Sequence, residues 1–253
     1  MSATQPFITF VVPVFNEERV LLTSLATLAE FLKELSKAAG RTPLDWELLC
    51  VDDGSTDSSA ELVQAFQAEH PEFPVVLRRL PENRGKGAAV REGMLAAAGR
   101  FVFFLDADLS TPLDETTGFL GALESGYDVV IGNRRVPGAS ITRHQPKLRE
   151  SLGRGFTLLV NVLLAPGVHD FTCGFKGFTH DAAQTVFKRS SLDGWAFDAE
   201  LVVIAQTHHL RLAQVPVSWH HEDDTKVRLL NAVFGSLIEV AQITWRRWTG
   251  RYA

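Results

Sequence analysis

Two clusters of carboxylates follow two strongly apolar segments of the sequence. One segment is LLCVDD (Leu48 to Asp53) and the other is FVFFLDAD (Phe101 to Asp108). Runs this apolar predict β-strands buried on both faces, and open α/β sheets bind their ligands at the carboxyl ends of such strands. Carboxylates crowded at one edge repel one another, and oxygen ligands of this kind suit Mg²⁺ or Mn²⁺. The pattern therefore predicts a divalent metal site and chemistry on a phosphate ester.

Strand and helix signals alternate along the chain that must position these carboxylates. Strands are predicted at residues 7–15, 48–53, 75–80, 101–108, 128–133 and 212–217. Helices are predicted at residues 17–39, about 148–164 and about 199–207. Three more helices are expected: one that starts near residue 57, one that ends near residue 99 and one that follows residue 112. This alternation is typical of a mostly parallel, doubly wound sheet with helices on both faces. We therefore predict an α/β protein with a Rossmann-like, mostly parallel mixed sheet.

Composition limits the possible partners and compartments. The 253 residues are 45% hydrophobic, enough for one large core with an appendage, and the net charge of −5 argues against nonspecific nucleic-acid binding. The two cysteines, Cys50 and Cys173, are too few for a disulfide framework and favour a cytosolic compartment. No signal-peptide pattern and no apolar run of about 18 residues is found, so we expect neither secretion nor a membrane-spanning segment.

Two smaller motifs have residue types that suit a nucleotide. In VPVFNEE, Pro13 can end a strand, Phe15 offers an aromatic face and Glu17 a carboxylate for a base or ribose. The alternative is a strand end followed by a helix cap. In NRGKG, Lys86 lies between two glycines at a predicted helix start, where free amides and the helix dipole favour a diphosphate. A solvated loop lysine is the alternative there.

Five motifs follow one another in an order that closely resembles the family 2 inverting glycosyltransferases with the GT-A fold: VPVFNEE, DDGSTD, NRGKG, LDAD and DFTCGFK. Within that family, DFTCGFK and WAFDAEL resemble the polyprenyl (dolichyl) phosphate glycosyltransferases, particularly the dolichyl-phosphate glucose synthase branch. The resemblance extends from about Val11 to Val227. It implies a catalytic GT-A domain over residues 1–228. It also implies metal-dependent transfer of a hexose from a nucleotide sugar to a polyprenyl or dolichyl phosphate. UDP-glucose is the first expected donor and GDP-mannose the second.

The resemblance also implies roles on the donor side. Asp53 and the backbone near Val51 would hold the base or ribose. The Asp106 to Asp108 segment resembles the DxD element, in which a divalent ion bridges carboxylate and diphosphate; Asp108 is expected as the direct ligand. Asp106 would bind the metal through water or hold ribose. The expected donor-binding set is Pro13, Phe15, Glu17, Val51, Asp53, Lys86, Asp106, Ala107, Asp108 and Arg134.

A second group of residues is expected to meet the acceptor. Basic residues are concentrated after GNRR in this acidic chain, and guanidinium groups form forked bonds with phosphate oxygens. The resemblance implies that Arg134, with Arg149 or alternatively Arg143, and Lys226 receive the acceptor phosphate. It puts Asp170 near the anomeric carbon. Whether that acid acts as a base stays open, because an acceptor phosphate is already ionised at neutral pH.

Three further residues have two possible roles each. Lys176, in DFTCGFK, either binds phosphate or braces its loop. Asp198 and Glu200, in WAFDAEL, either contact the sugar hydroxyls or cap a helix.

The C-terminal segment, residues 229–253, is amphipathic and rich in tryptophan and arginine. Such a helix suits a membrane surface, which would make the protein cytoplasmic and peripheral on the cytoplasmic face of a membrane; packing on the core or in a dimer is the alternative. The stripe predicted for its apolar face consists of Leu230, Val233, Phe234, Leu237, Ala241, Trp245 and Trp248.

Other functions are compatible with parts of the sequence. A soluble or saccharide acceptor would keep the donor chemistry and require an acid such as Asp170 as base. Asp106 to Ser110 also approximates the nucleophile motif of haloacid dehalogenase-like phosphatases, but that motif normally ends the first strand and here at least three predicted strands precede it. A degenerate, non-catalytic binding subunit would be expected to have lost part of the acid set, and none is lost.

Overall fold

The protein forms one central sheet between two layers of helices. The computed structural model describes residues 5–42, 44–141, 155, 157–194, 196–219 and 229–253. Among these residues, the main sheet has seven strands in the order β3-β2-β1-β4-β7-β5-β8, and β6 and β9 form a separate parallel pair. The strands are β1 Ile8–Val14, β2 Trp46–Asp52, β3 Val75–Arg79, β4 Phe101–Phe104, β5 Val129–Asn133, β6 Ser140–Ile141, β7 Lys176–Thr179, β8 Leu212–Pro216 and β9 Ser218–Trp219.

Helices cover both faces of the sheet. They are α1 Leu21–Ala38, α2 Ser59–Glu69, α3 Lys86–Ala96, α4 Thr116–Glu124, α5 at residues 157–163, α6 His180–Phe187, α7 Phe197–Thr207 and α8 Leu229–Trp248, with a 3₁₀ turn at Leu113–Glu115. The helices α1, α2 and α4 pack on one face, while α3, α5, α6, α7 and α8 pack on the other. None of the helices in the described part of the chain is both long enough and apolar enough to cross a membrane.

The buried pattern of each element explains why it forms. In α1 the buried residues Leu21, Leu25, Leu28 and Leu32 recur every three or four positions, which gives the helix one apolar side. In β1 almost every residue is buried, as expected for a central parallel strand covered on both faces.

One strand, β7, runs against the other strands of the main sheet. It pairs antiparallel with β4 on one side and with β5 on the other. Its amino end therefore lies at the edge where the parallel strands have their carboxyl ends. The segment that leads into β7 approaches this edge from the opposite direction, so residues far apart in the sequence meet there.

The strand β4 is shorter than the sequence predicts. It ends at Phe104, and the chain turns after it, with Asp106 O accepting a hydrogen bond from Leu109 N at 3.1 Å. Leu109 has a φ of 53°, in the left-handed region that a branched residue rarely adopts. Asp106 and Asp108 thus lie on a tight turn beyond the strand, not within it.

From residue 235 onward, where the side chains of α8 are described, the helix packs on the core through residues outside the predicted stripe. The side chains of Leu230, Val233 and Phe234, which belong to that stripe, lie outside the description. Val240 and Ile243 are buried in the hydrophobic cluster that includes α7. Leu237, Trp245 and Trp248, which belong to the predicted stripe, are exposed. One side of α8 therefore packs on the core, as the alternative prediction states. A second apolar side, which carries Leu237, Trp245 and Trp248, lies at the surface.

Candidate active site

The turn after β4 presents the two carboxylates Asp106 and Asp108. Asp108 Oδ1 accepts a hydrogen bond from Ser110 N at 2.9 Å, which fixes its side chain. Burial raises the pKa of Asp108, and the neighbouring charge of Asp106 raises it further. The two carboxylates thus repel each other at a half-buried position, where a cation would relieve the repulsion.

Lys86, the first residue of α3, contacts the Asp106 carboxylate. Burial acts to raise the pKa of Asp106, but the Lys86 ammonium outweighs it and holds that pKa below its usual range. Lys86 is therefore at the amino end of a helix and beside the carboxylate turn, as the diphosphate hypothesis requires. Its alternative role as a solvated loop lysine is wrong, because its side chain is only 22% exposed and paired.

Asp53, directly after β2, binds the backbone that leads into α3. Its Oδ1 accepts from Arg84 N at 2.9 Å and its Oδ2 from Gly85 N at 2.8 Å. Burial raises its pKa, although the two amides oppose that shift. We call residues 84–87 the donor loop. Asp53 binds the backbone of this loop, and Lys86 of the same loop contacts Asp106, so the three residues form one connected cluster. Val51 is buried in β2, and Ala107 is buried between the two carboxylates of the turn.

The VPVFNEE motif forms the next part of the same edge. Pro13 lies in β1, and Phe15 follows the strand with 38% of its surface exposed, which leaves an aromatic face open. Asn16 has a φ of 56° and its Oδ1 accepts from Thr56 N at 2.8 Å, so it ties the end of β1 to the loop after β2. Glu17 N donates to Ser59 Oγ at 2.8 Å. The strand ends here as the alternative expects, but α1 begins after Val20 with no hydrogen bond from a capping side chain, so the predicted helix cap is wrong. The ring of Phe15 stays exposed.

Arg134 and Asp170 form a forked ion pair at the other side of the edge. Arg134 Nε lies 2.8 Å from Asp170 Oδ2 and Arg134 Nη2 lies 2.9 Å from Asp170 Oδ1. The guanidinium also donates to Thr172 Oγ1 at 2.8 Å and lies over the ring of Trp219. Burial acts to raise the pKa of Asp170, but the bonds from Arg134 outweigh it and lower that pKa. Asp170 is therefore held as a carboxylate with both oxygens occupied.

Of the residues with two possible roles, Lys176 braces its loop. It is fully buried, contacts the Asp198 carboxylate and donates to Cys173 O at 2.6 Å. Asp198 is thus the counter-ion of Lys176, and burial raises its pKa. Glu200 is also fully buried and accepts from Ser191 N at 2.9 Å, so neither of its two predicted roles describes it.

The predicted residues fit a metal ion that takes part of its ligands from a substrate. No group of three or more His, Cys, Asp or Glu within the described residues could hold a metal by itself. Mg²⁺ commonly binds through one or two carboxylates plus phosphates and water. Asp106 and Asp108 supply that number, and a divalent cation would relieve their mutual repulsion.

Some predictions fall outside the described part of the chain, and some site residues were not predicted. Arg143, Arg149 and Lys226 lie outside the described residues. Thr172, Trp219 and Asp193, which contact Arg134 or the donor loop, were not predicted from the sequence. Thr172 stands in the DFTCGFK motif, so position alone could have suggested it. Asp193 carries no motif that would have drawn attention to it.

Comparison with known proteins finds relatives over most of the chain. The sequence profile described as Glycosyl transferase family 2 matches residues 9–187. A Trichomonas vaginalis protein named dolichyl-phosphate beta-glucosyltransferase ALG5C is 34% identical over 248 residues, or 96% of this chain and 72% of that relative. The dolichyl-phosphate beta-glucosyltransferase of Saccharomyces cerevisiae is 30% identical over 88% of this chain and 70% of its own length. The human protein of the same name is 31% identical over 86% and 68%.

Solved structures share the fold. The crystal structure of glucosyl-3-phosphoglycerate synthase from Mycobacterium tuberculosis with Mn²⁺, UDP-glucose and phosphoglyceric acid has a TM-score of 0.65 at 20% identity, over 93% of this chain and 78% of that chain. The complex of that enzyme with UDP has a TM-score of 0.66 at 20% identity, over 94% and 80%. The predicted GT-A fold, with its mixed sheet flanked by helices, is thereby confirmed. The profile match over most of the chain, together with relatives above 30% identity, shows that the chain belongs to glycosyl transferase family 2.

Proposed function

We propose that the protein transfers glucose from a nucleotide sugar, with UDP-glucose as the preferred donor, to the phosphate of a dolichyl or polyprenyl lipid. The observation that carries this proposal is the cluster of Asp53, Lys86, Asp106 and Asp108. This cluster offers the carboxylates of Asp106 and Asp108 to a metal ion and the ammonium of Lys86 to the diphosphate of the donor. The names of the family relatives support the choice of glucose and of a lipid phosphate.

On the donor side, each residue has a separate task. Phe15 provides an exposed aromatic face for the base, and Asp53 keeps the donor loop in place against the end of β2. Asp106 and Asp108 would hold Mg²⁺ or Mn²⁺, which when bound neutralises charge on the departing nucleoside diphosphate. Lys86, at the start of α3 beside Asp106, is positioned to meet the diphosphate.

On the acceptor side, the reaction needs charge neutralisation more than proton removal. An oxygen of the lipid phosphate forms a bond to the anomeric carbon while the bond from that carbon to the diphosphate breaks, and the bonding electron pair leaves with the diphosphate. Attack from the face opposite the leaving group inverts the configuration. Arg134, with Arg149 and Lys226, would receive the acceptor phosphate.

Asp170 serves in this proposal as the residue that orients Arg134 and not as a general base. Its pKa is lowered by Arg134, although burial opposes that shift, and both of its oxygens accept bonds from the guanidinium. An ionised acceptor phosphate has no proton to give up at neutral pH. A saccharide acceptor would have such a proton, so the geometry at Asp170 favours a phosphate.

A lipid acceptor requires contact with a membrane, and we assign that contact to the outer side of α8. Ile238 is 62% exposed and Trp248 is 86% exposed on this side, and Arg251 lies over the ring of Trp245. Leu158, Val162 and Leu163 of α5 are also exposed, and Arg247 of α8 contacts Leu164 O at the end of α5. Tryptophan and arginine beside aliphatic residues suit the interface of an anionic bilayer. Residues 229–253 would thus be a membrane-facing segment that follows the catalytic domain of residues 1–228.

Both cysteines in the described residues, Cys50 and Cys173, are buried free thiols. Free thiols support the cytoplasmic side of the membrane for this contact, because thiols stay reduced in that compartment.

The test is an assay of lipid-linked sugar formed from dolichyl phosphate in detergent, with Mg²⁺ or Mn²⁺ and a panel that includes UDP-glucose and GDP-mannose. We expect transfer from UDP-glucose. Asp108→Asn should reduce the rate at least 100-fold, because it removes a charge from the metal position. Asp114→Asn, which changes an exposed carboxylate six residues further along, is the matched control and should leave the rate unchanged. Transfer only to a soluble acceptor would contradict the proposal.

A further inference from the structure

The loop between α6 and α7 lies between the donor loop and α8. We call its residues 191–194 and Ala196 the bridging segment. On one side it contacts the donor loop, residues 84–87, and on the other it contacts α8. A helix at the surface is therefore connected to the loop that carries Lys86.

On the donor side, Asp193 makes most of the contacts of the bridging segment. Its carbonyl oxygen accepts from Gly87 N at 2.9 Å. Its carboxylate lies 3.1 Å from Arg84 Nη2 and also contacts Arg91 on α3. Asp193 thus binds the donor loop by backbone and side chain, at the point where α3 begins.

The donor loop and the bridging segment are in close backbone contact. A Cβ atom added to Gly85 would collide with the Asp193 carbonyl oxygen, and one added to Gly87 would lie 2.5 Å from Leu192 O. Real Cβ atoms are not found at such distances from backbone atoms. A shift of the bridging segment toward the donor loop would therefore move Lys86 with it.

On the other side, Glu239 of α8 holds the bridging segment. Its Oε2 accepts from Ala196 N at 2.8 Å, and Gly194 N also donates to this carboxylate. A Cβ atom on Gly194 would collide with the Glu239 carboxylate, so the approach is as close here as on the donor side. Arg246, two turns further along α8, contacts Ser191 at the start of the segment.

We infer that Glu239 is a positioning residue for nucleotide-sugar binding and that it acts through the bridging segment on the donor loop. The inference rests on the proposed function in that the donor loop is taken to bind the diphosphate. Glu239 itself touches neither the carboxylate turn nor Lys86 among its contacts, so its effect on the donor must pass through Gly194, Ala196 and Asp193.

The experiment measures UDP-glucose binding by calorimetry in the presence of Mn²⁺ and, separately, KM and kcat for transfer. We expect Glu239→Ala to weaken donor binding about 10-fold and to raise the donor KM equally, because two backbone amides lose their acceptor. The value of kcat at saturating donor and the KM for dolichyl phosphate should stay within about 2-fold. Glu239→Gln, which keeps an acceptor oxygen, should restore most of the binding.

Two further variants separate positioning from general loss of stability. Ile243→Val removes one buried methylene from α8 and lowers stability, but it leaves in place the hydrogen bonds that Glu239 and Arg246 make with the bridging segment. It should leave donor binding unchanged. Asp193→Ala should weaken donor binding as Glu239→Ala does, and the double variant should lose less than the product of the two single effects, because both act through one segment.

The outcomes are distinguishable. Three results would overturn the inference while the proposed function stands. They are unchanged donor binding in Glu239→Ala, donor binding weakened as much in Ile243→Val as in Glu239→Ala, and a double variant whose loss of affinity equals the product of the two single losses. A wild-type protein that binds no nucleotide sugar would overturn both.

Discussion

At the scale of single residues, Asp170 shows how one buried contact defines a role. The carboxylate is fully buried, and Arg134 occupies both of its oxygens. Because its pKa in the folded protein is lowered, Asp170 stabilises the fold fully at pH values above its unfolded pKa of about 3.9, and this contribution is lost as pH falls toward the lowered value.

We therefore predict that Asp170→Asn reduces the free energy of unfolding by about 3 kcal/mol at pH 7, since it leaves the mostly buried Arg134 without its counter-ion. The difference from wild type should shrink as pH is lowered below about 4, where Asp170 of the unfolded chain takes up a proton while the folded carboxylate, with its lowered pKa, still keeps its charge. Urea unfolding at pH 7 and at pH 3 measures this. The exposed variant Asp114→Asn should show little change at either pH, and a deficit for Asp170→Asn that is equal at both pH values would contradict the assigned pairing.

The sequence allowed some of these residues to be predicted and not others. Asp106 and Asp108 could be found because their strand is strongly apolar and the acids follow it directly. The pairing of Arg134 with Asp170 could not, because 36 positions separate the two residues and only the antiparallel approach to β7 brings them together. Likewise, nothing local to Lys176 indicates that its ammonium is buried.

At the scale of elements, α3 is positioned by close contact with the sheet. A Cβ atom on Gly93 would collide with Val11 of β1 and lie 2.9 Å from Val51 of β2. Because Lys86 is the first residue of this helix, any movement of α3 away from the sheet also moves the residue proposed to meet the diphosphate.

We predict that Gly93→Ala destabilises the protein by about 1–3 kcal/mol through overpacking and weakens UDP-glucose binding as α3 moves. Gly121→Ala in α4 is the matched control, because nothing lies within 4 Å of the added Cβ atom. That variant should instead stabilise the protein by about 0.5–1 kcal/mol, since alanine favours a helix over glycine. Thermal unfolding and calorimetric donor binding measure both effects. Equal effects of the two variants would show that contact with the sheet does not position α3.

The elements that the sequence predicted are those with strong apolar periodicity. The strands β1, β2, β3 and β5 and the helix α1 were predicted within a few residues of their bounds. The strand β7 was missed because Lys176–Thr179 is only four residues long and contains lysine and glycine, which are not typical of a central strand. The early end of β4 depends on the turn at Leu109, whose backbone conformation the residue type does not indicate.

At the scale of the whole molecule, α8 has two functions assigned to opposite sides. Its inner side packs on the core, where Tyr252 Oη also donates to Glu200 at 2.8 Å, and its outer side forms the proposed membrane surface. The sequence predicted the outer stripe but not that Val240 and Ile243 hold the helix to the domain. An amphipathic pattern shows that a helix has an apolar side, but it does not show what that side contacts.

We predict that the double variant Ile238→Ser with Trp248→Ser binds vesicles containing anionic phospholipid at least 10-fold more weakly than wild type, because both side chains would enter the lipid interface. UDP-glucose binding and thermal stability should be nearly unchanged, since exposed substitutions usually alter stability by less than about 0.5 kcal/mol. Leu22→Ser on α1, where leucine is 44% exposed on the other face of the sheet, is the control and should bind vesicles as wild type does. Cosedimentation with vesicles at two salt concentrations gives the affinity and its electrostatic part. If the control lost as much affinity as the double variant, the contact would be nonspecific, and α8 would not be the surface that brings the active site to its lipid.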